Sequence, residues 1–161
     1  MIVARFRRSA GRPMCALVAM AFAGCNAADP AGAIHDTLDG QVVAWNRGDI
    51  DGFMAAYWRS DDLTFVAFPR AVEPAPASQP VITRGWANVL ERYRRRYPTR
   101  ERMGRLRFEA LDVRMIDPET AVVCGRYVVQ RGAETFAGLF VLDLIRTPPG
   151  WKIVRDRTYP D

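Results

Sequence analysis

Residues 134–146 read ETFAGLFVLDLIR. Alternate positions put Phe136, Phe140, Leu142 and Leu144 on one side of a strand and Ala137, Leu139, Val141 and Ile145 on the other. A sheet covered on one face alternates apolar with polar residues, because its wet face gains nothing from burying hydrocarbon. This strand is apolar on both faces, so both are expected to be covered. Helices of the same chain can cover one, and a second copy of the chain can cover the other. Left bare, that second face would be an exposed apolar patch.

The neighbours of this strand read the same way. Strands are expected near 105–116, 120–131 and 150–158, parted by turn residues at Asp117-Pro118, Gly132 and Pro148-Pro149-Gly150. Phe108 and Leu111 break strict alternation in the first of these, which predicts a bulge near Glu109-Ala110. Upstream, Trp86, Val89, Leu90, Tyr93 and Tyr97 recur at helical spacing and Pro98 stops the run. LTFVAF, residues 63–68, reads as a strand. PRAVEPAPASQPVIT follows, with prolines at 69, 74, 76 and 80, which exclude a helix or a central strand and predict a long loop. At the front, Ile34, Leu38, Val42 and Trp45 mark a helix that Gly48 can end, and Asp49 can cap a second one whose buried face is Ile50, Phe53, Met54 and Tyr57. The expected order is helix, helix, strand, helix and four strands.

The first 24 of the 161 residues read as an export signal. Arg5, Arg7, Arg8 and Arg12 form a basic start, and Met14–Ala23 is an apolar run too short to span a bilayer. FAGCN then places two small residues before Cys25, which resembles a bacterial lipobox whose cysteine is lipidated. The expected organisation is a signal over 1–24, a tether over 25–33 and one domain over 34–161, held by lipid on the periplasmic side of a bacterial membrane. Losing the four arginines takes the formal charge from +5 to +1. A near-neutral exported domain is a poor nucleic-acid binder, so no nucleic-acid partner is expected. Eight arginines between Arg92 and Arg107 read as a solvated helix end, with anionic lipid headgroups as the sharper alternative. Cys15 leaves with the signal. Cys124, in the strand pattern AVVCGRYVV, is expected to be a buried, inert thiol.

One histidine, His35, precludes a Ser/His/Asp arrangement built elsewhere and is not by itself a metal site. No metal or other cofactor is expected. Pocket chemistry must come from Tyr57, Trp58, Tyr93, Arg126, Asp156 and Arg157. A carboxylate and a phenol in an apolar cavity can act as general base and acid, since burial raises a carboxyl pKa. Against this, Arg155 and Arg157 beside Asp156 would hold it ionised and make it a structural partner. Tyr57 and Trp58, at helical spacing from Phe53 and Met54, can also be plain core.

The blocks AWNRGDIDGFMAAYW, TRGWANVLERYRRRY, MGRLRF, VCGRYVV, GLFVLDL and GWKIVRDRTY, in this order over residues 34–158, resemble the nuclear transport factor 2-like superfamily and within it the SnoaL-like branch. The resemblance implies an α+β cone: three N-terminal helices packed on a curved, mostly antiparallel sheet, a pocket at the open end, and frequent dimerisation through the sheet. Relatives include ketosteroid isomerase, scytalone dehydratase and limonene epoxide hydrolase, and also non-catalytic modules, so fold alone leaves function open. Three readings follow: a small-molecule binding module for an apolar ligand, with an anionic one favoured by the arginines; a cofactor-free isomerase, dehydratase or hydrolase; or a dimeric interaction domain. Members of the branch often carry Asp-His-Thr/Ser where this chain has Asp156-Arg157-Thr158. Trp151, Ile153, Arg155 and Arg157 share one parity, which predicts that Arg157 points into the pocket and can grip a carboxylate. The alternative is an Asp156–arginine clasp at the strand end.

Overall fold

The computed structural model describes residues 29–70 and 79–161. The signal and residues 25–28 of the tether, Cys25 among them, lie outside these residues, as does most of the proline-rich loop. Among the described residues four helices and six strands are formed: α1 (Pro30–Arg47), α2 (Ile50–Met54), β1 (Thr64–Ala67), β2 (Val81–Arg84), α3 (Trp86–Arg96), α4 (Arg100–Met103), β3 (Arg105–Asp117), β4 (Thr120–Arg131), β5 (Glu134–Thr147) and β6 (Gly150–Pro160).

α1 starts at Pro30, inside the segment read as a tether, because Asp29 caps it. The Asp29 carboxylate accepts from the Ala31 amide at 3.1 Å, and Pro30 sits where its missing N–H costs nothing. Ile34, Leu38, Gln41, Ala44 and Trp45 form the buried face. Gly48 ends the helix at φ 83°, a left-handed conformation that a side chain resists, and its amide satisfies the carbonyls of Ala44 and Trp45. Asp49 then caps α2 through the Gly52 amide at 2.7 Å. Two polar ties fix α1 across the domain. The Trp45 indole donates to the Met103 carbonyl at 3.1 Å, and the Asn46 amide brackets the backbone N–H and C=O of Leu106 at 2.8 and 2.9 Å.

The sheet runs β2-β1-β6-β5-β4-β3, antiparallel throughout except for the parallel β1–β6 pair. The helices pack on one face, where Leu106, Val123, Phe140, Leu142, Leu144, Trp151 and Ile153 join Ile34, Leu38, Phe53 and Met54 in one core. This is the expected α+β arrangement with two differences. Among the described residues four helices form where the resemblance implies three N-terminal ones, and two strands precede α3 where the periodicity predicts one. The extra strand, Val81–Arg84, lies at the end of the segment read wholly as loop. It is an edge strand paired only with β1, a place that tolerates the adjacent Pro80.

Two bulges shape the sheet. In β3 the register shifts between Glu109 and Asp112, opposite Arg126 and Cys124, and Ala110 takes φ 50°. This is the bulge that the broken alternation predicts. In β6 Leu144 pairs with Ile153 and the preceding Asp143 with Arg155, so Val154 is an extra residue with no partner across the ladder. One extra residue reverses the side-chain alternation beyond it. Trp151 and Ile153 point to the helices, but so then do Asp156 and Thr158, while Arg155 and Arg157 turn to the outer face.

On that outer face the Asp143 carboxylate lies between two guanidinium groups, Arg157 and, at 3.6 Å, Arg155. The even parity read for β5 holds at Phe140, Leu142 and Leu144, which are buried. Phe136 is 41% exposed, beneath the Arg131 guanidinium at 4.7 Å, and Leu139 is 54% exposed on the outer face. Cys124 is also exposed there, contrary to the buried thiol expected from its apolar surroundings, because its parity in β4 directs it away from the helices.

Candidate functional site

Between the helices and the inner face of the sheet lies a cavity of about 100 Å³. Its walls are mostly aromatic: Trp45 from α1, Phe53 from α2, Tyr93 and Tyr97 from α3, and Phe108, Tyr127 and Phe140 from the sheet. Trp45 meets Phe53, Tyr93 and Tyr97 edge to face, with centroids 5.1, 6.3 and 4.7 Å away. Such contacts fix ring orientation beyond what area burial alone gives. The polar groups that line the cavity are few. They are Gln41, which donates to the Phe53 carbonyl at 3.3 Å, and a cluster formed by Asp156, Thr158, Tyr57 and the rim tyrosines.

Asp156 is the centre of that cluster and is only 5% exposed. The Tyr57 hydroxyl donates to its Oδ2 at 2.6 Å, and the Thr158 hydroxyl donates to its Oδ1 at 3.1 Å. Tyr57 and Tyr93 hydroxyls are 3.3 Å apart. A phenol has one proton. With the Tyr57 proton committed to Asp156, Tyr93 must be the donor in that contact, so the chain runs Tyr93 to Tyr57 to Asp156. Its outer oxygen, on Tyr93, is left with acceptor capacity. Burial pushes the Asp156 carboxyl up to about 6, against the downward pull of its two hydroxyl donors and, least, of Arg157. Burial first, and the Asp156 charge second, also push the Tyr57 and Tyr93 phenols well above their ordinary range. Both remain neutral donors, while Asp156 changes charge near neutrality.

The residues expected from sequence separate into two groups. Tyr57, Tyr93 and Asp156 meet in the cavity. Trp58, Arg126 and Arg157 do not line it. The amide of Trp58 donates to the Ile153 carbonyl at 2.9 Å, beside the bridge between Tyr57 and β6. Arg126 faces outward and pairs with the Asp161 carboxylate. Arg157, expected in the pocket, pairs with Asp143 on the opposite face of the sheet because of the bulge at Val154. The inference that two neighbouring arginines hold Asp156 low fails for the same reason. Adjacent in sequence, they lie across the sheet from it, and desolvation outweighs their charge. Gln41, Tyr97, Tyr127 and Thr158 complete the lining. Gln41 was legible in principle, as the one polar residue on the apolar stripe of α1. Thr158 could be placed only once the bulge was known.

Beyond Tyr93 and Tyr97 the cavity adjoins an open cleft of about 560 Å³ against α3, lined by Phe65, Ala67, Arg92, Arg95 and Arg96 as well as the two tyrosines.

A helix-lined cone with an aromatic cavity against a curved sheet defines a class of pocket-forming α+β domains, and comparison with solved structures makes it specific. An NTF-2-like protein of unknown function from Shewanella oneidensis MR-1 is 30% identical, with a TM-score of 0.70, over 81% of this chain and 99% of that one. The chain belongs to the NTF-2-like family. The fold is shared by a domain of unknown function with a cystatin-like fold from Nostoc punctiforme PCC 73102, at 21% identity and TM-score 0.64 over 82% and 77% of the two chains. It is also shared by a ketosteroid isomerase-like protein from Erwinia carotovora atroseptica SCRI1043, at 18% identity and TM-score 0.61 over 83% and 97%. No protein-family model and no curated protein matches the chain.

Proposed function

We propose that the domain is a small-molecule binding module of the SnoaL-like branch, whose cavity takes one small ring or short apolar chain and reads a single polar group on it. The observation that carries this is the Tyr93–Tyr57–Asp156 chain set in an otherwise aromatic wall. Pockets of this build take their affinity from apolar burial and their selectivity from a few placed polar groups. A ligand hydroxyl could donate to the Tyr93 oxygen. A cavity of about 100 Å³ limits the buried part to roughly a benzene-sized group. A second reading, a cofactor-free isomerase or dehydratase, is supported by Asp156 at about 6, a value that suits a general base near neutral pH. The ketosteroid isomerase-like neighbour lends that reading a fold-level analogy only.

The module is further proposed to be a lipoprotein on the periplasmic side of a bacterial membrane. Cys25 stands four positions before Asp29, the cap of α1. Gln41, the first residue of that helix to line the cavity, stands eleven residues along it from Pro30, or about 16 Å. An anchor at Cys25 would thus attach at the end of α1 remote from the cavity and leave the pocket clear. Cys25→Ala is expected to release the protein from membranes or to stop its processing. A processed variant that still fractionates with membranes would end the lipoprotein reading. A homodimer through the outer sheet face is proposed from the exposed Leu139 and its apolar neighbours Val141 and Ile145. Native mass spectrometry of the purified protein tests binding and assembly together. A retained small molecule and a twofold mass are expected. A monomer at tens of micromolar would count against the dimer, and a fully packed cone taking up no apolar probe would favour the interaction-domain reading.

A further inference from the structure

The arginines of α3 divide into two sets, and the division bears on the ligand. Arg94 points away from the cleft and is neutralised by Asp51 at 2.8 Å. Arg92, Arg95 and Arg96 line the cleft, at i, i+3 and i+4 of the helix, and among the described residues no aspartate or glutamate lines it with them. Of these three, only Arg95 forms an ion pair with an acid among the described residues, Glu91 at 4.0 Å on the exposed side of the helix. Arg92 is half-buried, its guanidinium 5.1 Å above the Phe65 ring, with Tyr93 as its chain neighbour. A guanidinium laid on an aromatic face is held in place by the ring while its N–H edge stays available. Solvated arginines at a helix end need only solvent, and favour the helix dipole wherever they point. Arg92, half-buried on the cleft and without an ion pair among the described residues, is a preset cation there, and Arg95 and Arg96 line the same cleft from exposed positions.

We propose that this cleft holds an oxyanion group of the ligand whose apolar part occupies the adjoining cavity, with Arg92 as the specificity-determining residue. This rests on the cavity being a binding site, and it narrows the ligand to an amphipathic anion, a carboxylate or phosphate monoester on a small ring or short chain. The wall shared by cavity and cleft is Tyr93 and Tyr97. A ring substituent carried past these tyrosines meets the cations of α3, whereas one carried past Tyr127 and Val129 meets a second opening where Arg70 and Arg131 are accompanied by Asp161. The role once assigned to Arg157 falls to a helix instead of a strand. Charge at the mouth and apolar surface within also exclude two neighbours: a neutral hydrocarbon leaves the guanidinium groups unused, and a small inorganic anion leaves the aromatic wall unfilled.

The test is calorimetric titration of the purified full-length protein, in detergent, with phenylacetate, phenyl phosphate, phenylacetamide and inorganic phosphate. Phenylacetate or phenyl phosphate is expected to bind at least about tenfold more tightly than phenylacetamide, and to lose about that factor in Arg92→Gln. Arg92→Lys should restore part of it, since the charge returns without the planar fork. Arg94→Gln, on the ion pair with Asp51, should change affinity less than about twofold and serves as the control for nonspecific charge. Preference for phenylacetate over phenyl phosphate, or the reverse, names the oxyanion. Equal binding of phenylacetate and phenylacetamide, or an unchanged affinity in Arg92→Gln, overturns the anion site while leaving the cavity reading intact. Binding of inorganic phosphate as tight as that of phenyl phosphate overturns it as well, because the apolar part would then contribute nothing. If neither aromatic probe binds, the cavity reading falls together with it.

Discussion

Asp156→Asn is expected to stabilise the domain by about 3 kcal/mol above pH 7 and by almost nothing near pH 4. The folded chain holds the Asp156 proton up to about pH 6, whereas an unperturbed aspartate releases it near 3.8. Between those values the folded state binds more protons than the unfolded one, so raising the pH favours unfolding. The contribution of the neutral acid is complete below 3.8 and is lost as pH rises through about 6. The rise from 3.8 to about 6 corresponds to about 3 kcal/mol. Asparagine keeps the shape of the neutral acid, and its amide oxygen can still accept from Tyr57. Denaturant unfolding of both proteins across this pH range checks it. A gap between them that does not grow with pH would show that burial does not penalise the carboxylate. The same variant should also remove any proton-transfer activity, because an amide cannot serve as a base. A carboxylate that weakens the fold at neutral pH while facing a cavity is the kind of group that binding or chemistry explains better than packing does.

Asp156→Arg is expected to abolish cooperative folding, whereas deleting Val154 is expected to leave the facing of β6 unchanged. Val154 is the residue without a partner, and when it is removed Leu144 still meets Ile153 and Asp143 still meets Arg155. The strand then alternates without a bulge, with Ile153 and Asp156 toward the helices and Arg155 and Arg157 on the face carrying Asp143. An arginine at position 156 instead places a guanidinium beside Tyr57 with no other carboxylate among the described residues that line the cavity. Burying an unpaired charge costs several kcal/mol or more, which is comparable with the whole stability of a domain. Circular dichroism and thermal scans of Asp156→Arg should show no native transition. The Val154 deletion should melt cooperatively with Asp156 still titrating near its raised value. A cooperatively folded Asp156→Arg would show that the cavity accepts a charge without cost, and a deletion that does not fold would show that the bulge itself, not the ladder to β5, holds β6 in place.

The pattern of apolar residues alone placed most of this fold. The stripes of α1 and α3, the caps at Asp49 and Gly48, and the four long strands follow from periodicity and turn chemistry, because each is a local preference that the final packing agrees with. The Ala110 bulge was legible for the same reason, since it leaves a visible break between Phe108 and Leu111. Tyr57, Tyr93 and Asp156 could be named as candidates from residue type. Their meeting could not, because Tyr57 and Asp156 stand 99 positions apart and only the bridge that the segment after α2 makes to β6 at Ile153 brings them to 2.6 Å. The bulge at Val154 was also hidden. Val154 is as apolar as Ile153, so no break in the pattern marks it, and the extra residue shows only against the hydrogen-bond ladder of β5. Tertiary structure therefore decided which end-of-strand charge enters the pocket, and with it that Asp156 is desolvated while Arg157 pairs with Asp143 on the far face. Sequence specifies the composition of a strand; the face each residue takes is settled by the register of its partners, and a single unpaired residue reverses it.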